Sequence, residues 1–236
     1  MQHSNRRVFW HGFLDCAPFT IIVVPYAMLF GVVARDAGLA VYEVMAMSVI
    51  VIAGASQFTA VALMQEQAPV IVILLAALAV NLRMAMYSAA LAPHLGHLRL
   101  WARAVLAYMM VDQSFALSVR KYAQVPDMTP AAKAAYYFGA LTAVAPLWYI
   151  CTFVGAVIGQ AIPPIFALEF AVPVCFIAMT APMLHSLPHV VAAFVSVLAA
   201  MLFQWMPYNL WLIAAGLLAM MAGAQAEFHL KRKAAA

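Results

Sequence analysis

Arg83 stands near the middle of an apolar run, two residues after Asn81, with Tyr87 and Ser88 following within two helical turns. A second apolar run is interrupted by Gly54, Ala55, Ser56 and Gln57, and a third by Asp112. The chemistry open to these groups is recognition. A guanidinium receives a carboxylate, a carboxylate receives an ammonium or a proton, and amides and hydroxyls share hydrogen bonds. In the middle of a bilayer no water satisfies such groups, so they must pair with each other, with freed backbone, or with a cargo. Their types and depth therefore point to a substrate path through a membrane protein.

Arg83 sets the sharpest constraint. A charge at the centre of a membrane helix costs at least about 2.5–3.5 kcal/mol on insertion scales. The nearer surface is roughly eight residues away, about 12 Å at 1.5 Å per residue, which strains even an arginine that snorkels. A partner is expected. Asp112 ranks first because its depth matches, Asp15 second, and Glu169 lies at a segment start where it faces headgroups. Either aspartate could also bind a proton, since burial in lipid favours a neutral carboxyl and a nearby arginine favours a charged one. Tyr87 shares a face with Arg83, four residues on. Gly54 and Ser56 alone would suit close helix packing. Gln57 adds a full amide that needs partners, which favours a lined site.

The elements that position these residues are membrane helices. Of 236 residues, 68% are hydrophobic and 8% charged, against roughly 25% charged in average soluble domains. The mean hydropathy is +0.98. The apolar runs are continuous and about twenty residues long, which excludes the alternating pattern of a β-barrel. An all-α polytopic bundle is predicted, with eight apolar segments at about 13–34, 42–64, 69–91, 102–120, 135–160, 166–185, 189–205 and 208–226. Little polarity separates the last two, so seven spans is the alternative. Pro18, Pro25, Pro146, Pro173 and Pro182 interrupt segments and free backbone carbonyls.

With the N-terminus cytoplasmic, Arg6, Arg7, Arg120, Lys121, Lys133, Lys231, Arg232 and Lys233 fall inside, and Arg35, Arg99 and Arg103 outside. That bias predicts both termini inside. A faint repeat relates halves at about 10–120 and 135–226. Gly31-Val32-Val33-Ala34 ends the first segment and Gly155-Ala156-Val157-Ile158 the fifth. In each half the next segment loses apolar character midway, at Gly54–Gln57 and at Met179-Thr180-Ala181-Pro182. Thr180 and Pro182 therefore join the expected substrate path, as transporter sites gather where corresponding helices are interrupted.

Other functions lack their signals. The net charge of +4 sits in short groups at segment ends, as topology signals and not as a nucleic-acid surface. Cys16, Cys151 and Cys175 are far apart in apolar surroundings, and His94 and His97 have no further ligand nearby, so neither metal nor cofactor is expected. No phosphate-cradling glycine loop is present. No nucleophile-plus-base arrangement is evident, so an enzyme is not expected.

The order Gly54-Ala55-Ser56-Gln57-Phe58, then Asn81-x-Arg83 with Tyr87-Ser88 and Pro93, then Asp112-x-x-Phe115, resembles the AzlC family (YgaZ-like) of branched-chain amino acid exporters. The likeness is strongest from about Gly12 to Leu117. It implies a large subunit in the bacterial inner membrane, working with a small hydrophobic AzlD-type (YgaH-like) partner to export leucine, isoleucine and valine, with methionine as a further substrate. By the same likeness Gly54, Ser56, Gln57, Asn81, Arg83, Tyr87 and Asp112 carry over as the family's polar motif positions. Gln113 departs from the family, where an acidic residue often follows the motif aspartate. The rival readings are an uncoupled channel or general permease, and a membrane enzyme or assembly subunit that transports nothing.

Overall fold

The computed structural model describes residues 4–159, 177, 184, 186–206 and 210–234. Among these the regular structure is helical throughout. Among the described residues three stretches are long and apolar enough to cross a membrane. The first joins α1 (Asn5–Cys16), a 3-10 turn at Ala17–Phe19, and α2 (Thr20–Asp36). Between them come α3 (Val41–Ile50) and α4 (Gly54–Gln65). The second stretch is α5 (Val70–Leu95), followed by α6 (Leu100–Tyr108) and α7 (Asp112–Gln124). The third is α8 (Pro130–Ile158), whose first turn is capped by the Thr129 hydroxyl accepting from the Ala132 amide at 3.3 Å. Farther along lie α9 (Leu187–Phe203) and α10 (Leu210–Ala234).

The core is built on a backbone-to-backbone seam. The positions where Gly12 and Gly31 lack a Cβ face the backbone at Tyr136 and Thr152, and those of Gly139 and Gly155 face the backbone at Phe9 and Met28. Each glycine thus receives the other helix's main chain, which only a missing side chain permits. The order of the contacts makes the first span and α8 parallel. Gly31 and Gly155, matched in the sequence as ends of corresponding segments, meet here directly.

The second and fourth apolar segments do not cross. Each is broken mid-way and turns back. Gln57 Nε2 donates to Ser48 Oγ at 3.0 Å across the break at residues 51–53, and Val44 and Val61 share one core cluster. In the other pair, α7 returns alongside the end of α5: Asp112 meets Arg83, Phe115 stacks on Tyr87 and Tyr122 packs on His94. Leu106 of α6 packs with Leu91 and Leu95. The arms explain this physically. At 10 and 9 residues, α3 and α6 reach about 15 Å, half the roughly 30 Å hydrocarbon core.

The hairpins enter from opposite ends. α3 follows the Asp36 end of the first span, through a turn where Gly38 takes φ 91° and Arg35 donates to the Leu39 carbonyl. α6 follows the far end of α5, where His94 lies 3.2 Å from Lys133 at the start of α8. The two constructions run in step: Asp36 and Leu95, Val41 and Leu100, Ile50 and Tyr108, Gly54 and Asp112 are all 58 or 59 residues apart. A span followed by a re-entrant hairpin therefore occurs twice, in inverted orientation.

Several expectations change. The all-α membrane bundle stands, but two of the eight segments do not span. The first helix starts at Asn5, not near residue 13. Arg99 and Arg103 move to the end that carries Arg6, Arg7, Arg120, Lys121 and Lys133, leaving Arg35 as the one lysine or arginine at the opposite end up to residue 159. Pro25 and Pro146 lie inside helices, and Pro18 opens the 3-10 turn. The sixth segment, with Glu169, Pro173, Cys175, Thr180 and Pro182, lies outside the described residues apart from residues 177 and 184.

Candidate functional site

The hairpin tips face one another in mid-membrane. Before each returning arm the chain is extended, at Val51 (φ −139°, ψ 104°) and at Val111 (φ −130°, ψ 158°). β-Branched residues favour that conformation. A serine at the third helical position then fixes each turn. Ser56 Oγ donates to the Ala53 carbonyl and Ser114 Oγ to the Val111 carbonyl, both at 2.9 Å.

Between the tips lies a cavity of about 40 Å³. Its wall takes the first two residues of α4, Gly54 and Ala55, and the first two of α7, Asp112 and Gln113. Amides at those positions have no acceptor within their own helix. Each helix start also carries roughly half a positive charge. Arg83, Tyr26 and Trp148 add further polar groups to the wall.

Arg83 Nη1 lies 3.3 Å from Asp112 Oδ2, with side-chain exposures of 30% and 14%. The pair is neutral in sum, so the two helix starts leave the cavity net positive. Asp112 Oδ1, Arg83 Nε and Trp148 Nε1 are buried without a hydrogen-bond partner among the described residues. Buried polar atoms are normally satisfied, so these three mark capacity for a ligand. Tyr87 stacks on Phe115 with ring centroids 4.0 Å apart, which ties α5 to α7 beside the pair.

The other sequence-selected residues divide. Gly54 lines the cavity, and a Cβ there would meet the Tyr26 and Trp148 rings at 2.5 and 2.6 Å. Ser56 and Gln57, each 2% exposed, hold the hairpin and do not line the cavity. Asn81 lies two residues before Arg83 on α5, its Oδ1 buried and without a hydrogen-bond partner among the described residues. Ser88 lines a neighbouring apolar pocket of about 180 Å³ between α5 and α6. Asp15 is not at Arg83. It accepts from the Tyr136 hydroxyl at 2.7 Å and lies 3.9 Å from Lys121, at the basic end of the bundle.

Sequence reasoning missed Tyr26, Trp148, Ser48 and Tyr108. Tyr26 and Trp148 each follow a helix proline by one or two residues, Pro25 and Pro146, and that shared placement was the available signal. Tyr108 ends α6, contacts Tyr149 at 3.1 Å and donates to the Val49 carbonyl on the opposite hairpin.

The model of the family described as AzlC protein matches residues 18–162, a stretch that holds both hairpins and the cavity. An uncharacterized membrane protein of Archaeoglobus fulgidus is 32% identical over 120 residues, covering 49% of this chain and 51% of that protein. The chain thus spans about half the length of the curated relative it matches. No solved structure matches.

Proposed function

The chain belongs to the AzlC family, and from that premise we propose that it is the large subunit of a secondary exporter of branched-chain amino acids, driven by protons and paired with a small hydrophobic AzlD-type subunit. The observation that carries this reading is the cavity between two helix starts and an Arg–Asp pair. A zwitterion needs a cationic and an anionic partner together. Its carboxylate would take the amides of Gly54, Ala55 and Gln113 with Arg83, as interrupted transporter helices do for anionic groups. Its ammonium would take the free Asp112 Oδ1. Val23, Met84 and Val144 supply an apolar wall for a branched side chain.

Coupling follows from the same pair. A proton on Asp112 removes the ammonium's partner, so proton and substrate compete, which is the logic of exchange. Arg83 and Tyr87 are the charged and titratable groups beside that carboxylate. At about 40 Å³ the cavity holds a water or two and no amino acid, so the tips must part for each passage. The basic end, by the positive-inside bias, faces the cytoplasm of a bacterial inner membrane. Leu74, Leu75, Leu78, Leu82 and Met86 leave one face of α5 exposed for lipid or the small subunit.

The test is efflux of labelled leucine from proteoliposomes with and without the small subunit. The reading expects efflux that rises with an opposing proton gradient and falls when the gradient is collapsed. Gradient-independent flux would favour an uncoupled permease. No flux under any condition would favour a subunit that transports nothing.

A further inference from the structure

A second cavity, about 480 Å³ and open on one side, lies at the basic end between α1, α7 and α8. Its wall carries both signs of charge. Asp15 is held by the Tyr136 hydroxyl at 2.7 Å, and Lys121 Nζ lies 3.9 Å from Asp15 and 5.5 Å from the Tyr136 ring centroid. Arg120 lines the same space and forms no ion pair among the described residues. Leu117 and Pro18 add apolar surface beside these groups.

We propose that this vestibule is a separate binding site for a zwitterionic α-amino acid, with Arg120 receiving the carboxylate and Asp15 the ammonium, from which cargo passes to the central cavity. The proposal rests on the exporter reading. Three features support a free amino acid as the occupant. Opposite charges converge on one space large enough for it. Lys121 already balances part of the Asp15 charge, so the unpaired Arg120 leaves a cation in surplus for a carboxylate. The two sites also share a helix. α7 begins in the central cavity at Asp112 and reaches the vestibule at Arg120 and Lys121, about 12–14 Å away at 1.5 Å per residue. Leu117 lies on the way, packed between both core clusters.

The experiment is titration calorimetry of the purified full-length protein with leucine, with leucinamide and with 4-methylpentanoate, which lack one charge each. Wild type should bind two leucines per chain. Arg83→Ala should keep one, Arg120→Gln should lose the other or weaken it about tenfold or more, and Asp15→Asn should act like Arg120→Gln. Neither single-charge analogue should fill the vestibule. Arg120 is exposed, and the analogues need no variant, so a folding defect does not decide the outcome. One leucine per wild-type chain, with Arg120→Gln and Asp15→Asn unchanged, overturns the vestibule and leaves the exporter reading standing. Arg120-dependent binding of anionic lipid vesicles that leucine does not compete makes it a headgroup site and also overturns it. A wild type that binds no leucine overturns the exporter reading itself.

Discussion

Tyr108 and Val49 join the two hairpins: the hydroxyl at the end of α6 donates to a carbonyl freed at the end of α3. The last turn of a helix leaves such carbonyls without a donor from within, and here the opposite hairpin supplies one. Tyr108→Phe should lower stability by about 1 kcal/mol, the net worth of one such bond. Because the bond ties the tips, the variant should also change the rate of leucine exchange more than it changes leucine binding. Thermal unfolding and exchange kinetics in proteoliposomes read the two effects.

Arg83→Ala leaves Asp112 without its cation, and Asp112→Asn leaves Arg83 without its anion. Each single change should destabilise by on the order of 2 kcal/mol, less than for a fully buried pair because Arg83 is 30% exposed. The double variant Arg83→Gln with Asp112→Asn should recover part of that stability and none of the transport. Denaturation midpoints set beside efflux rates separate the two.

Efflux by Asp112→Asn should no longer respond to the proton gradient, because the side chain for which proton and ammonium compete is gone. Labelled-leucine efflux from proteoliposomes, with the gradient imposed and then collapsed, reads the response, and a retained response removes Asp112 from coupling.

Gly31→Ala and Gly155→Ala push a methyl group into main chain that cannot retreat, so each should cost about 3 kcal/mol or more, in line with overpacking of a core. Among the described residues nothing lies within 4 Å of where a Cβ on Gly216 would stand, so Gly216→Ala should stabilise by up to about 1 kcal/mol through helix propensity. Melting temperatures of the three variants should fall on opposite sides of wild type.

Much of this was legible in the residues. Composition fixes the membrane class. The matched depths of Arg83 and Asp112 anticipate their pairing, and the small residues at Gly54 mark one break. The hairpins were not legible, because hydropathy measures apolar length and two short arms add up to the length of one span. The break before Asp112 has no glycine or proline; Val111 and Ser114 carry it, and they read as ordinary apolar and polar residues. Arg99 and Arg103 held the clue. Assigned to the opposite side, they weakened a charge bias that the re-entrant turn restores. Asp15, the second-ranked partner for Arg83, meets Tyr136 and Lys121 instead, since position within a segment does not reveal which neighbour a helix faces.

The meeting of two hairpin tips bears on the electrical profile of the membrane. The tips bring Arg83 and Asp112 together between the two ends of the bundle, inside the layer across which the transmembrane voltage falls. A charge that moves past this pair therefore senses part of the roughly 2.3 kcal/mol per 100 mV available to a full crossing. Membrane potential, separately from any concentration difference, acts on the few residues between the tips.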